Sequence, residues 1–403
     1  MEMKETVSGI TAAKGFKTGA VHCGIRNNPE KKELALIVSE TPCNAAAVYT
    51  SNQVKAAPLY LNMKHLANGK AQAITVNSGN ANACAINDAQ NALKQAQAAA
   101  DKLNLNVEDV LVASTGVIGM ELPVEKIENG TKQIVLGLDS ADSARAIMTT
   151  DTKIKEVAVE FELGGKLVHM GAIAKGSGMI HPNMGTMLCF MTTDAAVSSD
   201  CLQALLKKIV QKTFNRISVD GDTSTNDMCI ILANGQAGNP EVTLESPERG
   251  VFEEALAYVM QKMAIAIAAD GEGASRLITV TVDQAQSEEQ AETIAMSVAS
   301  SSLLKAAVFG KDANWGRVIC AMGYSKAKFD PNKVDISFAS KYGKVLVCSK
   351  GKGIEFNEEK AAKILEGDAI EIECTLHEGD ASATCWGCDL TYDYVKINGD
   401  YRT

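Results

Sequence analysis

Residues 175–194 carry the most structural information in the chain and read Lys175-Gly-Ser-Gly-Met-Ile-His-Pro-Asn-Met-Gly-Thr-Met-Leu-Cys-Phe-Met-Thr-Thr-Asp194. They begin as a glycine-rich loop and continue, from Thr186 onward, as a β-branched and apolar run typical of a buried strand. Most strand threonines reflect only the β-propensity of a branched side chain. Cleavage of the Gly185–Thr186 bond would instead make Thr186 a chain N-terminus, with an α-amine pKa of about 8. That amine would activate the threonine hydroxyl as a nucleophile.

The composition is typical of a large globular protein. The chain has 403 residues, of which 46% are hydrophobic and 22% are charged, and this length predicts two large units or three smaller ones. A formal net charge of −10 argues against nucleic acid and anionic membrane as partners. No apolar run is long enough to span a bilayer, and the segment from Met1 to Thr6 lacks the apolar core of a signal peptide. We therefore expect a cytoplasmic protein.

The cysteines and histidines show no ligand pattern. Eleven cysteines are scattered over the chain, and an odd number makes a poor disulfide framework. Cys385-Trp-Gly-Cys388 has C-x-x-C spacing, but no second such pair completes a zinc site, and the alternating residues around it predict a strand. The five histidines show no metal-ligand spacing. The sequence therefore predicts no metal and no bound cofactor.

Hydrophobic periodicity predicts a chain of alternating strands and helices. Strands are expected at residues 33–39, 72–76, 109–113, 156–163, 166–173, 229–233, 276–282, 334–338, 344–347, 369–375 and 382–397. Helices are expected at residues 87–103, 124–136, 140–148, 200–215, 247–269, 287–299, 315–322 and 357–365. A domain boundary is expected near residues 283–288. This order predicts an α/β or α+β fold with mixed sheets covered by helices.

Glycines mark two turns in this pattern. Gly164-Gly165 predicts a β-hairpin between two of the strands. Asp270-Gly-Glu-Gly273 follows a long helix, and its two glycines are expected to end that helix and to leave Glu272 exposed on a tight loop.

Ser114-Thr115-Gly116 is a further candidate for chemistry. The segment 114–119 is expected to form a glycine turn after a buried strand. Such a turn presents adjacent backbone N–H groups, with the Thr115 hydroxyl as an additional donor. Hydrogen-bond donors in this arrangement are typical of an oxyanion hole. Thr-Gly is also common in ordinary turns, so the pattern alone does not assign this role.

Several long motifs lie in one order along the chain. Lys175–Ile180 together with Pro182–Leu188 resembles the self-cleavage segment of the glutamate N-acetyltransferase/ornithine acetyltransferase family of arginine biosynthesis. Segments that resemble other motifs of this family are Thr11–Phe16, Asn77–Cys84, Ser114–Gly119, Met148–Thr152, Ser218–Asp227, Gly310–Ser325 and Tyr394–Thr403. The resemblance therefore covers nearly the whole chain.

The resemblance implies a precursor that cuts itself between Gly185 and Thr186. The products would be an α chain of residues 1–185 and a β chain of residues 186–403, with a C-terminal subdomain from about residue 283 onward. It also implies an αββα-type sandwich core shared with an amidase/aminopeptidase group, a smaller C-terminal α/β subdomain, and a heterotetramer of α and β chains. The implied activity moves the acetyl group of N2-acetylornithine to glutamate through an acetyl-threonine intermediate, in the cyclic arginine pathway.

The same resemblance implies a role for each matching residue. Thr186 would be the nucleophile, while Thr115 and Gly116 would form the oxyanion hole. The substrate would be held by Thr149, Lys175, Thr186, Glu272, Asn398 and Thr403. Thr150 and Thr152 are alternatives to Thr149. Lys175, Asn398 and Thr403 suit the carboxylate and polar atoms of a substrate, and Glu272 suits the side-chain ammonium of ornithine.

Three residues depart from the family pattern, which often has alanine at these positions: His181, Gly185 and Cys385. Gly185 should ease the strained turn that self-attack requires. His181 is either an aid to proton transfer or an ordinary loop histidine.

Two other functions stay open at this point. One is a related N-terminal-nucleophile amidase or aminopeptidase, and the other is an uncleaved, non-catalytic paralogue. The sequence also leaves open whether acetyl-CoA serves as a second acetyl donor.

Overall fold

The computed structural model describes residues 2–181 and 187–399. Thr186, Gly185 and Thr403, three of the predicted site residues, lie outside these ranges. The strands of the described residues are β1 (Met3–Thr6), β2 (Phe16–Val21), β3 (Leu34–Tyr49), β4 (Lys70–Asn80), β5 (Val110–Val117), β6 (Lys155–Leu163), β7 (Lys166–Lys175), β8 (Leu188–Thr193), β9 (Ile217–Ser218), β10 (Met228–Ala233), β11 (Leu277–Ala285), β12 (Asp335–Ser340), β13 (Gly343–Ser349), β14 (Lys352–Gly353), β15 (Ala369–Thr375) and β16 (Ala381–Cys388).

The α-helices of the same ranges alternate with these strands. They are α1 (Ala57–His65), α2 (Asp88–Leu103), α3 (Val124–Gln133), α4 (Ser140–Ala146), α5 (Ser199–Val210), α6 (Arg249–Ala269), α7 (Glu288–Ala299), α8 (Ser302–Phe309), α9 (Trp315–Gly323), α10 (Glu358–Ile364) and α11 (Tyr392–Gly399). Within the described chain, no helix combines the length and the apolar character needed to cross a membrane.

The chain divides into two compact units. The first is built from the described parts of residues 1–176, 182–215 and 222–264, and the second from residues 177–181, 216–221 and 265–403. The C-terminal subdomain predicted from about residue 283 lies inside the second unit. Residue 283 itself falls within strand β11, in the interior of that unit's sheet.

The first unit contains a nine-stranded sheet. Its strands lie in the order β1-β6-β7-β8-β10-β3-β4-β5, and β2 pairs with β3. Leu34 and Leu36 of β3 pack with residues of α2 and α3 in one core cluster, whereas Ala35 and Ile37 pack with residues of α4 in another. Both faces of the central strands are therefore buried, which explains why these strands are apolar runs without polar alternation.

Strands β7, β8 and β10 are neighbours in this sheet. The turn Gly164-Gly165 joins β6 to β7, with φ values of 57° and 74° that favour glycine, so the predicted hairpin is confirmed. Strand β7 pairs antiparallel with β8. Strand β8 pairs in parallel with β10, with Leu188 opposite Met228. This register sets the N-terminal end of β8 beside the N-terminal end of β10.

The second unit contains a seven-stranded sheet in the order β14-β13-β12-β15-β11-β16-β9. Strand β15 alternates, because Ile370, Ile372 and Cys374 are buried in the core cluster while Glu371 is exposed. One face of this sheet is covered by α7 and its neighbouring helices. Because only that face is buried, apolar and polar residues alternate along the strand in the sequence.

The mixed α/β class predicted from the sequence is confirmed. The two sheets and their covering helices are consistent with the αββα-type sandwich that the resemblance implies. Two local predictions are wrong. Residues 114–117 continue strand β5 and form no turn there, and the strand predicted at 382–397 is strand β16 followed by helix α11.

Candidate active site

Thr115 and Gly116 lie near the end of β5, where this strand runs in parallel beside β4. Thr115 is opposite Ser78 and Gly116 is opposite Gly79, and the register becomes irregular at Asn80. Gly116 has a φ of 135°, and a Cβ atom there would lie 2.3 Å from the backbone carbon of Gly79. The two backbones approach too closely for any side chain at position 116, so this position requires glycine.

Amide side chains fix the backbone that leads into Thr115. The Ser114 hydroxyl donates to Asn77 at 2.6 Å, and the Asn77 amide donates to the Asn80 carbonyl at 2.9 Å. Asn226 donates to the Ser114 carbonyl at 2.9 Å. All of these groups are buried, so the end of β4 and the loop that precedes β10 hold the candidate oxyanion segment in place.

Lys175 ends strand β7 and is almost fully buried. Its ammonium lies 3.4 Å from the Thr115 hydroxyl, to which it donates a hydrogen bond, and 4.0 Å from a carboxylate oxygen of Asp151. Lys175 is therefore not an ordinary surface charge, because its exposed fraction is 5%. Burial of an ammonium is costly unless it is paired, and Asp151 supplies that pairing.

Asp151 organises this part of the site, although the sequence did not single it out. Its Oδ1 accepts hydrogen bonds from the Lys155 ammonium and from the Gly176 N–H, both at 2.7 Å. Its Oδ2 accepts from the Thr149 N–H at 3.0 Å. One buried carboxylate thus holds the backbone of Thr149, the backbone beside Lys175 and two lysine charges.

The charge on Asp151 is set by these neighbours. Burial alone would raise the pKa of this carboxyl, but the charges of Lys175 and Lys155 and the hydrogen bonds from Lys155 and Gly176 outweigh it, and the pKa is held far below the usual range. Asp151 is therefore an anion at neutral pH. In the sequence, Asp151 was indicated only by its position within the Met148–Thr152 motif.

A cavity of about 290 Å³ opens beside Thr149. It is lined by Arg26, Glu30, Lys31, Lys32, Asp142, Arg145, Met148, Thr149 and Asp151. Four of these side chains are cationic and three are carboxylates. Asp142 pairs with Lys32 and Arg145, and the charge of Asp151 is already matched by Lys155 and Lys175, so the wall carries a small excess of positive charge. Such a wall suits an anionic ligand. Of the three candidate threonines, Thr149 lines this cavity, whereas Thr152 is exposed to solvent.

Glu272 belongs to the second unit, on the loop after α6. The prediction that it is exposed is wrong, since its exposed fraction is 5%. Its N–H donates to the Ser177 carbonyl at 2.9 Å, and Asn398 of α11 donates to its carboxylate at 2.7 Å. A Cβ atom at Gly178 would lie 2.3 Å from the Glu272 carboxyl carbon. The segment 177–181 thus covers Glu272, and the absence of a side chain at 178 makes room for its carboxylate.

The segment 177–181 is itself held by Asp220 within the same unit. The two carboxylate oxygens of Asp220 accept from the Met179 N–H at 2.6 Å and from the Ile180 N–H at 2.8 Å. The Tyr394 hydroxyl donates to Asp220 at 3.3 Å. His181 lies 3.0 Å from the Ser218 hydroxyl.

The structure also bears on the cysteines. All eleven lie among the described residues and are free. Cys385 and Cys388 belong to strand β16, and burial raises the pKa of the two thiols to about 12 and about 11. Thiols with such values are inert packing groups. Across residues 2–181 and 187–399, no group of acidic, histidine or cysteine side chains is arranged to hold a metal ion.

Comparisons with known proteins show the family of this chain. Residues 17–403 match the model of the ArgJ family. The chain is 52% identical over 398 residues to the arginine biosynthesis bifunctional protein ArgJ 1 of Clostridium acetobutylicum, covering 98% of this chain and 97% of the relative.

Two solved structures are similar to parts of the chain. A crystal structure of the arginine biosynthesis bifunctional protein ArgJ from Bacillus halodurans is 43% identical, with a TM-score of 0.50, and covers 52% of this chain and 97% of its own. The ornithine acetyltransferase of Mycobacterium tuberculosis, solved in complex with ornithine, is 34% identical, with a TM-score of 0.42, and covers 45% of this chain and 99% of its own. The match to the family model and the identity of about one half over nearly the full length show that this chain belongs to the ArgJ family.

Proposed function

We propose that this protein is a glutamate N-acetyltransferase (ornithine acetyltransferase), which moves the acetyl group of N2-acetylornithine to glutamate. Its nucleophile is Thr186, freed as an N-terminus by self-cleavage after Gly185. Membership of a family whose curated relatives are named arginine biosynthesis proteins carries this proposal. The buried cluster around Lys175 and Asp151 supports it, since Lys175 lies eleven residues before the proposed nucleophile.

The length of a solved relative supports the cleavage. The ArgJ chain from Bacillus halodurans is matched over 97% of its length by 52% of this chain, so it is about half as long. Residues 186–403 make up a little over half of this chain. A separate polypeptide of this length is what a cut before Thr186 would release.

The transfer proceeds in two half-reactions at one threonine. The Thr186 hydroxyl attacks the acetyl carbonyl of acetylornithine while its own α-amine takes the proton, and ornithine leaves with that proton. The acetyl group then rests as an ester on Thr186 until the glutamate amine attacks it. The Gly116 N–H and the Thr115 hydroxyl stabilise the oxyanion in both steps, and the close approach of Gly116 to Gly79 keeps these donors rigid.

The buried charges provide substrate recognition in this proposal. Lys175 binds the α-carboxylate that both amino acids share, and Asp151 holds it in the required orientation. Glu272, oriented by Asn398, binds the side-chain ammonium of ornithine. The cationic wall of the cavity beside Thr149 suits the carboxylates of glutamate. Thr403 is proposed to contact substrate on the strength of the resemblance alone. The heterotetramer and the cytoplasmic location also remain predictions.

One experiment tests this function against its alternatives. The purified protein is run on a denaturing gel and assayed with acetylornithine, with and without glutamate, and separately with acetyl-CoA and glutamate. We expect two bands, and ornithine release that requires glutamate. Release without glutamate would indicate an amidase or aminopeptidase, and a single inactive band would indicate a non-catalytic paralogue. The acetyl-CoA arm decides whether a second donor is used.

The matched variant Thr186→Ala lacks the attacking hydroxyl. It should remain a single 403-residue chain without activity, whereas Thr186→Ser should still cut slowly. Two clean fragments from Thr186→Ala would place the cut, and the nucleophile, elsewhere.

A further inference from the structure

Arg26 ends a short loop segment that a buried carboxylate holds in place. Glu33 is fully buried. Its Oε1 accepts hydrogen bonds from the N–H groups of Cys23, Gly24 and Ile25 at 3.0, 2.6 and 2.9 Å. These N–H groups belong to consecutive residues, so one oxygen fixes the backbone that leads to Arg26. The segment therefore gives Arg26 a defined position in the first unit.

The Arg26 side chain lies beside the backbone of the candidate oxyanion hole. A Cβ atom at Gly79 would lie 3.1 Å from Cγ and 3.2 Å from Nε of Arg26, so this side chain lies directly over Gly79. Gly79 in turn lies against Gly116, one of the two proposed oxyanion residues. Only one residue, a glycine, therefore separates Arg26 from the oxyanion segment.

The same side chain lines the cavity beside Thr149. The Nη2 of Arg26 donates to the Met148 carbonyl at 2.8 Å, and all three residues line this cavity of about 290 Å³. Small-molecule sites begin at about 300 Å³, so the cavity is of a suitable size for an amino acid.

Arg26 differs from the other cations of this wall. Lys31 and Arg145 are exposed to solvent, and Lys32 pairs with Asp142 at 3.2 Å. Arg26 is half-buried. The attraction between a guanidinium and a carboxylate is stronger where water is partly excluded, so Arg26 is the cation of this wall best placed to bind an anionic group.

The proposed reaction needs such a cation for one of its two amino acids. Ornithine carries an ammonium on its side chain, whereas glutamate carries a carboxylate, and both must react at the same threonine. A carboxylate such as Glu272, which suits the ornithine ammonium, repels the side chain of glutamate. Lys175 is already assigned to the α-carboxylate that both amino acids share. The side chain of the acceptor therefore needs a positive partner of its own.

We propose that Arg26 binds the side-chain carboxylate of glutamate and thereby selects the acceptor, an inference that rests on the function proposed above. A planar guanidinium holds a carboxylate in a bidentate pair. Contact with Gly79 and Met148 sets the orientation of the guanidinium, and Glu33 fixes the backbone that carries it. Glutamine has nearly the same shape as glutamate but no charge on its side chain, so this contact favours glutamate over glutamine.

Two assays with fully cut enzyme separate acceptor binding from the other steps. The first measures exchange of labelled ornithine into acetylornithine without glutamate, so that ornithine alone leaves and attacks. The second measures kcat/KM for transfer from acetylornithine to glutamate and, separately, to glutamine. In Arg26→Gln we expect exchange at the wild-type rate, and kcat/KM for glutamate lower by about tenfold to a hundredfold, the range for losing a charge-assisted hydrogen bond. Transfer to glutamine should not fall, so the preference for glutamate decreases by the same factor.

Arg249→Gln is the matched control. Arg249 is an exposed residue of the first unit, and its guanidinium also donates to a backbone carbonyl, that of Leu244, at 3.1 Å. Its replacement removes the same charge and should change neither assay. If circular dichroism shows that Arg26→Gln does not fold, Arg26→Lys decides, because an ammonium lacks the planar fork of a guanidinium. A lower preference for glutamate over glutamine at the wild-type exchange rate then supports the proposal, and an unchanged preference overturns it.

Three results would overturn the inference while leaving the proposed function intact. One is an unchanged preference for glutamate in Arg26→Gln. Another is an equal loss in exchange and in transfer, which would reduce Arg26 to a structural residue of its loop. The third is a loss confined to acetyl-CoA as the donor, which would assign Arg26 to the phosphates of that molecule. A wild-type enzyme with neither exchange nor transfer would be a different failure, because it overturns the proposed function and this inference with it.

Discussion

Asp151 offers the sharpest test of how the site is built. Asp151→Asn removes one negative charge and leaves Lys155 and Lys175 buried, with exposed fractions of 3% and 5%. The asparagine can still accept hydrogen bonds through one oxygen, but its NH₂ group now faces donors. Removing one partner of a buried ion pair costs about 3–5 kcal/mol, because the other charge is left uncompensated.

The expected loss is large enough to measure directly. For a unit of this size 1 kcal/mol moves the melting temperature by about 2–4 °C, so we expect a decrease of roughly 6–20 °C in thermal unfolding. The control is Glu40→Gln, which removes the carboxylate of a solvent-exposed pair with Lys17. Exposed pairs contribute about 0–1 kcal/mol, so this variant should unfold within a few degrees of the wild type.

A second substitution isolates the charge effect. Lys155→Met removes the partner that lies 2.7 Å from Asp151 and fills a similar volume. In the double variant both charges of the pair are gone, so much of the stability lost in Asp151→Asn should return. Activity should not return, because the one amide oxygen that remains can serve only one of the Thr149 and Gly176 N–H groups, which Asp151 holds on different oxygens. A displacement of about 1 Å at a site costs about a hundredfold in rate.

A loss of less than about 1 kcal/mol of stability in Asp151→Asn would mean that water reaches the two lysines and that the cluster is not a buried ion network. Full activity in the double variant would mean that Asp151 has no part in positioning the site.

Three further predictions concern single groups. Thr115→Ala, assayed as fully cut protein, should lower kcat by about a hundredfold or more, the range for losing one oxyanion donor, and an unchanged kcat would remove Thr115 from the mechanism. Glu272→Gln should reduce kcat/KM for acetylornithine about tenfold to a hundredfold, because a charge-assisted hydrogen bond contributes about 1.5–3 kcal/mol, and equal losses with acetyl-CoA as donor would contradict ornithine recognition. In the uncut Thr186→Ala background, Asp227→Asn should gain in melting temperature relative to its parent as pH rises above about 4. Burial raises the folded pKa of Asp227, so the unfolded chain loses this proton first and the parent becomes less stable with rising pH, whereas a constant difference would refute the raised pKa.

Much of the fold could be predicted because its strands and helices carry local signals. Strands such as β8 and β10 are short apolar runs, and α2 has a clear helical period. The hairpin at Gly164-Gly165 follows from turn chemistry alone. Strand β3 was predicted only as far as Ser39, yet it continues to Tyr49 past Pro42, which falls where the register against β4 shifts. Proline is tolerated at such an irregularity, and nothing local indicates that the strand resumes.

Helix α11 was not predicted because its apolar side chains do not mark a buried face. Its apolar side chains Tyr392 and Val395 are 85% and 70% exposed, so the hydrophobic pattern of this segment does not record a buried face. Periodicity predicts a helix only when one side packs against a core. The alternating residues of β16 therefore extended the strand prediction into α11.

The site residues show a similar limit. Lys175 and Glu272 were found through motifs, yet their burial was not foreseen, because it depends on partners distant in the chain. Gly178 makes room for the Glu272 carboxylate, and Asp151 neutralises Lys175. Burial of a charge follows from tertiary structure, and no pattern of neighbouring residues records it.

The charges buried in the first unit argue that function shaped this core. Asp151, Lys155 and Lys175 form an ion network, and one carboxyl oxygen of Asp227 has no hydrogen-bond partner among the residues that the structure describes. Well-packed apolar side chains of similar volume would often give equal or greater stability than such a network. A stable fold alone therefore does not explain them. The ion network does have an explanation if one carboxylate must hold the lysine that binds substrate.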